Sequence, residues 1–204
     1  MGITERRARE KDELRRKILD AATAMFVEEG YQNVSMRKIA RRIEYAPSTI
    51  YLYFKDKVEI LTAICFEAFS DLDERLELIH GLNLPPIETL RRSLRAYVDF
   101  GLENPSAYGF VFCVPPTMFE DVDLDTHNAI LNVGVSSFDR LVEGIRVCIE
   151  GGYITAGEPV LKAQVTWLCM HGIVAGLIYN CGFPFVDKDL LIEHALDRVI
   201  GSLI

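Results

Sequence analysis

Most of the short motifs that announce catalysis are missing from this chain of 204 residues. It has no G-x-S-x-G elbow to raise a nucleophilic serine, no Walker-type loop to cradle phosphates and no dinucleotide fingerprint. The four histidines, His80, His127, His171 and His194, have no H-x-x-x-H or other metal spacing. In the loop from Pro115 to His127, Asp121, Asp123 and Asp125 alternate as calcium-loop ligands do. Position six would then be Thr126 where glycine is needed, and position twelve Asn132 where glutamate is needed, so a flexible acidic loop beside a ligand entrance is the better account. These absences predict no metal, no cofactor and no enzyme. The five cysteines, Cys65, Cys113, Cys148, Cys169 and Cys181, include no C-x-x-C pair and are odd in number, which predicts buried free thiols. Low-complexity tracts and internal repeats are also lacking. The opening MGITERRAREKDELRRK has charge where a secretory signal has an apolar core, which predicts a cytoplasmic protein.

Positive charge is in deficit too: 22 Lys and Arg stand against 30 Asp and Glu, net −8. Taken whole, that balance argues against a nucleic-acid partner, but its distribution does not. Met1 to Lys57 carries 13 basic against 9 acidic residues, net +4, and the remainder 9 against 21, net −12. A basic head can meet nucleic acid while an acidic body stays off it.

What is present is a pair of short helices. In SMRKIARRIEYAPSTIYLYF, Ser35 to Phe54, Val34 can staple onto Ile39 around an N-cap at Ser35, with Ile39, Ala40 and Ile43 on one face. The opposite face shows Arg37, Lys38, Arg41 and Arg42, well placed to meet phosphates. After Glu44 and Tyr45 a second helix opens with Pro47 at its first position, where a missing N–H costs nothing. Ile50 and Phe54 lie inside, and Ser48, Thr49 and Tyr51 lie outside, as in a recognition helix. Ser35, Arg37, Tyr45, Ala46, Pro47, Ser48, Thr49, Tyr51 and Lys55 are the expected DNA-binding residues. Tyr51 and Lys55 are assigned to phosphates, and Arg37, Ala46, Pro47 and Ser48 to the groove.

The run from Thr49 to Lys57, with the helix before it, resembles the signature of the tetracycline-repressor (TetR) family of bacterial transcription regulators, from about Asp12 to Asp71. Two positions depart from the family pattern: its usual turn glycine is Glu44 here, and its usual capping Ser or Thr is Ala46. A weaker resemblance, to the C-terminal domain of one TetR subgroup, lies in AYVDFGLENPSAYGFVF, Ala96 to Phe112. The resemblance implies an all-α protein with a three-helix DNA-binding domain at 12–72, its motif at 35–54, and an effector-binding and dimerisation domain at 73–204. It also implies double-stranded operator DNA as a partner, and in some relatives a basic arm like Arg6, Arg7 and Arg9 reaches the DNA. Here that arm reads equally well as a solvated terminus.

Along the chain, Arg6 to Lys17 flows into a helix with Leu14, Ile18, Ala21, Ala22, Met25 and Phe26 on its apolar face, stopped by Gly30. Asp56 can cap a helix running to about His80, whose N-terminus with Lys55 makes a phosphate site. Further helices are expected from Ile87 to Asn104, from Pro105 (with Asn104 as N-cap) to about Val114, and from Thr126 to Glu150. The stretch from Ala163 to Val186 has no charged residue. Its Gln164, Thr166, His171 and Asn180, with glycines at 172, 176 and 182, argue for a helix buried by core on one side and a second subunit on the other, and against a membrane span. A final helix, Lys188 to about Leu203, is capped by Asp187. Gly172, Gly176, Leu191, Ala195 and Val199 are the expected interface of a homodimer, which a palindromic operator also demands.

The body is rich in large adaptable side chains. Phe66, Phe69, Tyr97, Phe100, Tyr108 and Phe110, then Phe112, Met118, Phe119, Trp167, Met170 and His171, are expected to line an apolar effector pocket, with His171 or Asn180 as polar anchor. Any one of them alone reads as core. The function so reached is a dimeric, effector-released transcriptional regulator, a repressor in preference to an activator. An all-helical small-molecule enzyme or carrier is the alternative, and it leaves the basic, hydroxyl-rich helix unexplained. A non-specific DNA-packaging protein conflicts with the acidic body.

Overall fold

The computed structural model describes residues 3–113, 123–180 and 182–204, and among them every regular element is helical. The helices are α1 (Ile3–Glu29), α2 (Met36–Arg42), α3 (Pro47–Ile50), α4 (Lys57–His80), α5 (Pro86–Glu103), α6 (Pro105–Phe112), α7 (Leu124–Glu150), α8 (Pro159–Tyr179) and α9 (Lys188–Gly201). A 3-10 turn, Tyr31–Asn33, joins α1 to α2. Packing divides the chain into two units, one of Met1–Ala68 with Ser106–Ile130, the other of Phe69–Pro105 with Leu131–Ile204. The division falls inside α4 and α7 and after the first residue of α6.

The first unit closes around one apolar cluster. Ile18, Leu19, Ala22, Met25 and Phe26 of α1 meet Ile39, Ala40 and Ile43 of α2, Ile50 and Phe54 of the α3 region, and Ile60, Leu61 and Ile64 of α4. Val34 and Ile39 both lie in this cluster. Val111 of α6 packs against it from outside. Tyr31 is fully buried against Phe26, with ring centroids 5.1 Å apart, and Lys57 locks it from α4 by donating Nζ–H to the Tyr31 carbonyl at 2.8 Å. The arm ahead of this core is helical, not frayed. Arg6–Glu10 and Arg9–Glu13 pairs run along its exposed surface at i,i+4.

In the second unit α5 is central, packing on both α8 and α9, which also pack on each other. Its apolar stripe, Leu90, Leu94, Tyr97, Val98 and Phe100, is buried. Its opposite flank is tied to α9 by ions: Arg91 reaches Glu193 at 2.7 Å and Asp197 at 2.6 Å, and Arg95 reaches Glu193 at 2.7 Å and Asp189 at 3.2 Å. The two guanidinium groups hold the Glu193 carboxyl below the usual glutamate range. On α4, Arg75 bridges Asp71 and Glu103, and Arg140 of α7 bridges Asp73 and Glu77.

Helix ends follow local chemistry, with three departures from expectation. Asp187 caps α9 by accepting from the Leu190 N–H at 2.9 Å, and Glu158 caps α8 in the same manner. Asp123, instead of the chain near Thr126, starts α7, accepting from the Thr126 N–H at 2.9 Å. Asn104 ends α5 and does not begin α6: its side-chain amide and its backbone N–H both donate to the Phe100 carbonyl. The third departure concerns thiols. Cys65 and Cys148 are buried, and burial pushes the Cys65 thiol up to about 12, but Cys113 and Cys169 are exposed. Cys181 lies outside the described residues.

Candidate nucleic-acid interface

The edge that could meet DNA is built by α2, the turn after it, α3 and the start of α4. Ser35 caps α2, its hydroxyl accepting from the Lys38 N–H at 3.3 Å. The four cations of α2 then separate into two flanks. Lys38 donates to Glu29 at 2.7 Å and to the Asn33 carbonyl at 2.8 Å, and Arg42 reaches Glu28 at 3.4 Å. These two are held by the end of α1. Arg37 and Arg41, one turn apart on the other flank, are exposed and form no ion pair among the described residues. The expectation that all four α2 cations are free for phosphates therefore narrows to two.

The turn resolves how the chain manages without glycine. The Tyr45 N–H donates to the Ala40 carbonyl at 2.9 Å and the Glu44 N–H to the Arg41 carbonyl at 3.2 Å, the paired closure of a Schellman motif. That closure puts its penultimate residue in the left-handed region, and Glu44 sits there with φ 63°. A side chain in that conformation costs roughly 1–2 kcal/mol relative to right-handed backbone. Ala46 occupies the N-cap of α3 with extended φ and ψ and no side-chain hydrogen bond.

Pro47 opens α3, which is shorter than the sequence suggests. Regular helix ends at Ile50, and Tyr51 to Tyr53 continue as tight turns, with the Tyr53 N–H donating to the Ile50 carbonyl at 2.9 Å. Ile50 and Phe54 are buried, which anchors the segment, while Pro47, Ser48 and Tyr51 are exposed and Thr49 is half-buried. Tyr45 is exposed as well, with Lys17 of α1 lying 5.3 Å from its ring centroid. The structure thus brings Arg37, Tyr45, Ala46, Pro47, Ser48, Tyr51 and Lys55 to the surface of one unit.

At the start of α4 the arrangement differs from an open anion site. Asp56 accepts from the Glu59 N–H at 2.8 Å, and Glu59 reaches back to accept from the Lys55 N–H at 2.6 Å. These carboxylates occupy the Glu59 and Lys55 N–H groups, so Lys55 would meet a phosphate through its side-chain ammonium, not through its own backbone N–H.

The residues expected to line an effector pocket fall in both units. Tyr108, Phe112 and Phe66 belong to the first unit, where Tyr108 packs on Phe112 at 4.8 Å and Phe66 is 38% exposed. Phe69, Tyr97, Phe100, Trp167, Met170 and His171 belong to the second. The Phe110 side chain, Met118 and Phe119 lie outside the described residues. Trp167 stacks on His171 at 5.3 Å, and burial lowers the imidazole pKa. Asn180 donates back to the Gly176 carbonyl and ends α8. Sequence reading missed two polar atoms: Ser93 Oγ on α5 and Thr166 Oγ1 on α8 are buried without a hydrogen-bond partner among the described residues.

α8 presents one buried stripe, Ala163, Thr166, Met170 and Val174, and leaves the opposite stripe uncovered. There Leu161, Val165, Leu168 and Tyr179 are about half or more exposed, and a Cβ on Gly172 would meet nothing within 4 Å. By length and composition alone α8 could cross a membrane. Leu191, Ala195 and Val199 of α9 are half-buried.

Comparison with known proteins accounts for both units. Residues 18–64 match bacterial regulatory proteins of the tetR family, and residues 90–199 match the tetracyclin repressor-like C-terminal domain. The HTH-type transcriptional regulator AcrR of Shigella flexneri is 26% identical over 188 residues, 89% of this chain and 84% of that protein. Among solved structures, the TetR family transcriptional regulator PfmR from Thermus thermophilus superposes with a TM-score of 0.75 at 19% identity, covering 92% of this chain and 98% of its own. AibR, solved in complex with isovaleryl coenzyme A and operator DNA, superposes at 0.70 with 21% identity, covering 93% of this chain and 97% of its own. At these identities the structural likenesses establish the fold.

Proposed function

Because the chain belongs to the tetR family of bacterial regulatory proteins and is a DNA-binding transcriptional repressor, we propose that it acts as a homodimer on a palindromic operator and releases it when a small apolar effector binds. Residues 12–72 serve as the DNA-binding domain and 73–204 as the effector and dimerisation domain. The observation that carries the DNA half of this reading is the exposed flank of Arg37 and Arg41, without ion pairs among the described residues, beside Pro47, Ser48, Tyr51 and Lys55. Arg37 and the first turn of α3 address base edges, while Arg41, Tyr51 and Lys55 address phosphates.

The uncovered stripe of α8 supports the second copy. An apolar face of this length, with Gly172 open, allows close approach of a symmetry-related α8, and an α-helix on a soluble body rarely leaves such a stripe to water. Phe69, Tyr97, Phe100, Trp167 and Met170 supply the apolar lining for an effector. AibR, of similar fold, was solved in complex with isovaleryl coenzyme A and operator DNA, which supports a coupling between an effector and DNA here. Coupling of about 1–3 kcal/mol, which is roughly five- to 150-fold in affinity, is the usual range. The protein works where its DNA is, in the cytoplasm.

Fluorescence anisotropy against the DNA upstream of its own gene tests the reading. Saturable binding that random DNA does not match, with a two-protomer stoichiometry by light scattering, is the expected result. Binding that ignores sequence, or a monomer at micromolar concentration with operator bound, would remove it.

A further inference from the structure

Positive charge is distributed unevenly through the second unit and its neighbours in sequence. Between Arg95 and Arg140 the chain runs 44 residues without a lysine or arginine, while seven acidic residues occur there. From Ala163 to Val186 there is no charge of either sign. These stretches supply Tyr97, Phe100, Trp167 and Met170. The arginines of α4 and α5 are held by carboxylates: Arg75 by Asp71 and Glu103, Arg91 by Glu193 and Asp197, Arg92 by Glu88, Arg95 by Asp99, Glu193 and Asp189. The cations of this unit without a carboxylate among the described residues are Arg198 and Lys188, both exposed, and Lys162 at the start of α8, which donates to the Thr155 hydroxyl. Even the open surface groove along α7 offers an incoming anion only Arg140, held by Asp73 and Glu77, and Arg146, held by Glu143. The polar atoms left unpartnered inside, among the described residues, are neutral hydroxyls on the two helices that pack together: Ser93 on α5 and Thr166, 1% exposed, on α8.

From this pattern we infer that the effector is an uncharged lipophile with a hydrogen-bonding oxygen, such as a fatty ester, ketone or alcohol, and that the body rejects the carboxylate and coenzyme A forms of the same acyl chain. The inference rests on the reading that this unit holds an effector. An anion taken into an apolar interior needs a desolvated counter-charge. Here it would have to break an existing arginine pair, which strands a carboxylate, stay at the surface with Lys162, Lys188 or Arg198, or remain unpaired against a body of net charge −12 outside the head. A cation fares no better inside, since no buried carboxylate among the described residues lacks a partner. A hydroxyl, by contrast, donates to an ester carbonyl without any charge. Buried hydroxyls left without partners are costly, and a ligand oxygen removes that cost.

A series matched in chain length decides it. Methyl decanoate, decanoate, decanoyl-coenzyme A and decylamine are titrated into the full-length protein on its operator, reading Trp167 fluorescence and DNA release together. The ester is expected to shift Trp167 saturably and release DNA over the same range, with the three charged forms weaker by about tenfold or more. Thr166→Val with Ser93→Ala is expected to keep the far-ultraviolet circular dichroism and melting temperature, and to weaken the ester severalfold while decane binding is unchanged. A purely structural role for the hydroxyls would leave the ester and decane affected alike, and would overturn their assignment. Should decanoyl-coenzyme A or decanoate release DNA as well as the ester, the charge argument fails while effector-controlled repression stands. Operator binding that no member of the series disturbs would overturn the class of ligand, and Trp167 silent throughout would remove the chamber with it.

Discussion

The two units treat their charged and apolar surfaces in opposite ways. In the first, the apolar residues close on themselves in one cluster, and two arginines on α2 stay at the surface with no ion pair among the described residues. In the second, the arginines of α5 are locked into carboxylate networks and the apolar stripe of α8 stays open. A surface left unsatisfied in a folded unit indicates the chemistry that completes it. On the proposed reading the head is completed by phosphate, and the body by more hydrocarbon.

The comparison breaks most visibly at Gly172. Because a Cβ there meets nothing inside the protomer, Gly172→Leu should leave the circular dichroism of the chain intact and act on assembly alone. Crowding a packed crossing costs about 1–3 kcal/mol per site and counts twice by symmetry. Sedimentation should show a monomer where the parent is dimeric, and a mutant that stays dimeric would place the crossing elsewhere on α8. Next in size is the loss of the free flank. Arg41→Ala with Lys55→Ala should lower operator and random-sequence affinity alike and flatten the logarithmic salt dependence by about two. The same pair of changes at Lys38 and Arg42, already held by Glu29 and Glu28, should flatten it less. Equal slopes in the two double mutants would cancel the distinction between the flanks.

Smaller effects sharpen it. Glu44→Gly relieves left-handed strain at φ 63° and should raise the stability of the head by about 1 kcal/mol, read as a shifted urea midpoint with unchanged m. The smallest effect lies in the α5–α9 network. Glu193 is held below its usual pKa by Arg95 and Arg91, so its contribution is present above the unfolded glutamate value and is lost as pH falls through the lower folded one. Glu193→Gln should therefore flatten the acid limb of melting temperature against pH. Exposure and solvent screening keep the change to a few tenths of a kcal/mol.

Local signals were legible in the sequence and tertiary ones were not. Ser35, Pro47, Asp56 and Asp187 announce helix starts because a start signal needs only the next three residues. Asn104 misled, since asparagine before proline reads as a start while its side chain turns back to the Phe100 carbonyl. That Lys38 and Arg42 are taken is decided by Glu29 and Glu28, nine and fourteen residues away on another helix. The aromatics of α6 and of α5 were expected to serve one pocket, and no local signal marks that they fall in different units. The orphaned hydroxyls of Ser93 and Thr166 carry no sequence mark at all, because a serine or threonine in a helix ordinarily bonds to the preceding turn.

If the open stripe on α8 pairs two copies, dosage becomes a variable of the circuit. If only the paired form spans both halves of an operator, then below the dissociation constant of the pair the active species follows the square of the protomer concentration, and doubling the protomer raises it roughly fourfold. A repressor built this way responds to its own synthesis and dilution with a threshold that no effector has to supply. In the proposed pair, the concentration at which that threshold falls is set by side chains such as Leu168 and Val165, 57% and 52% exposed in the lone chain.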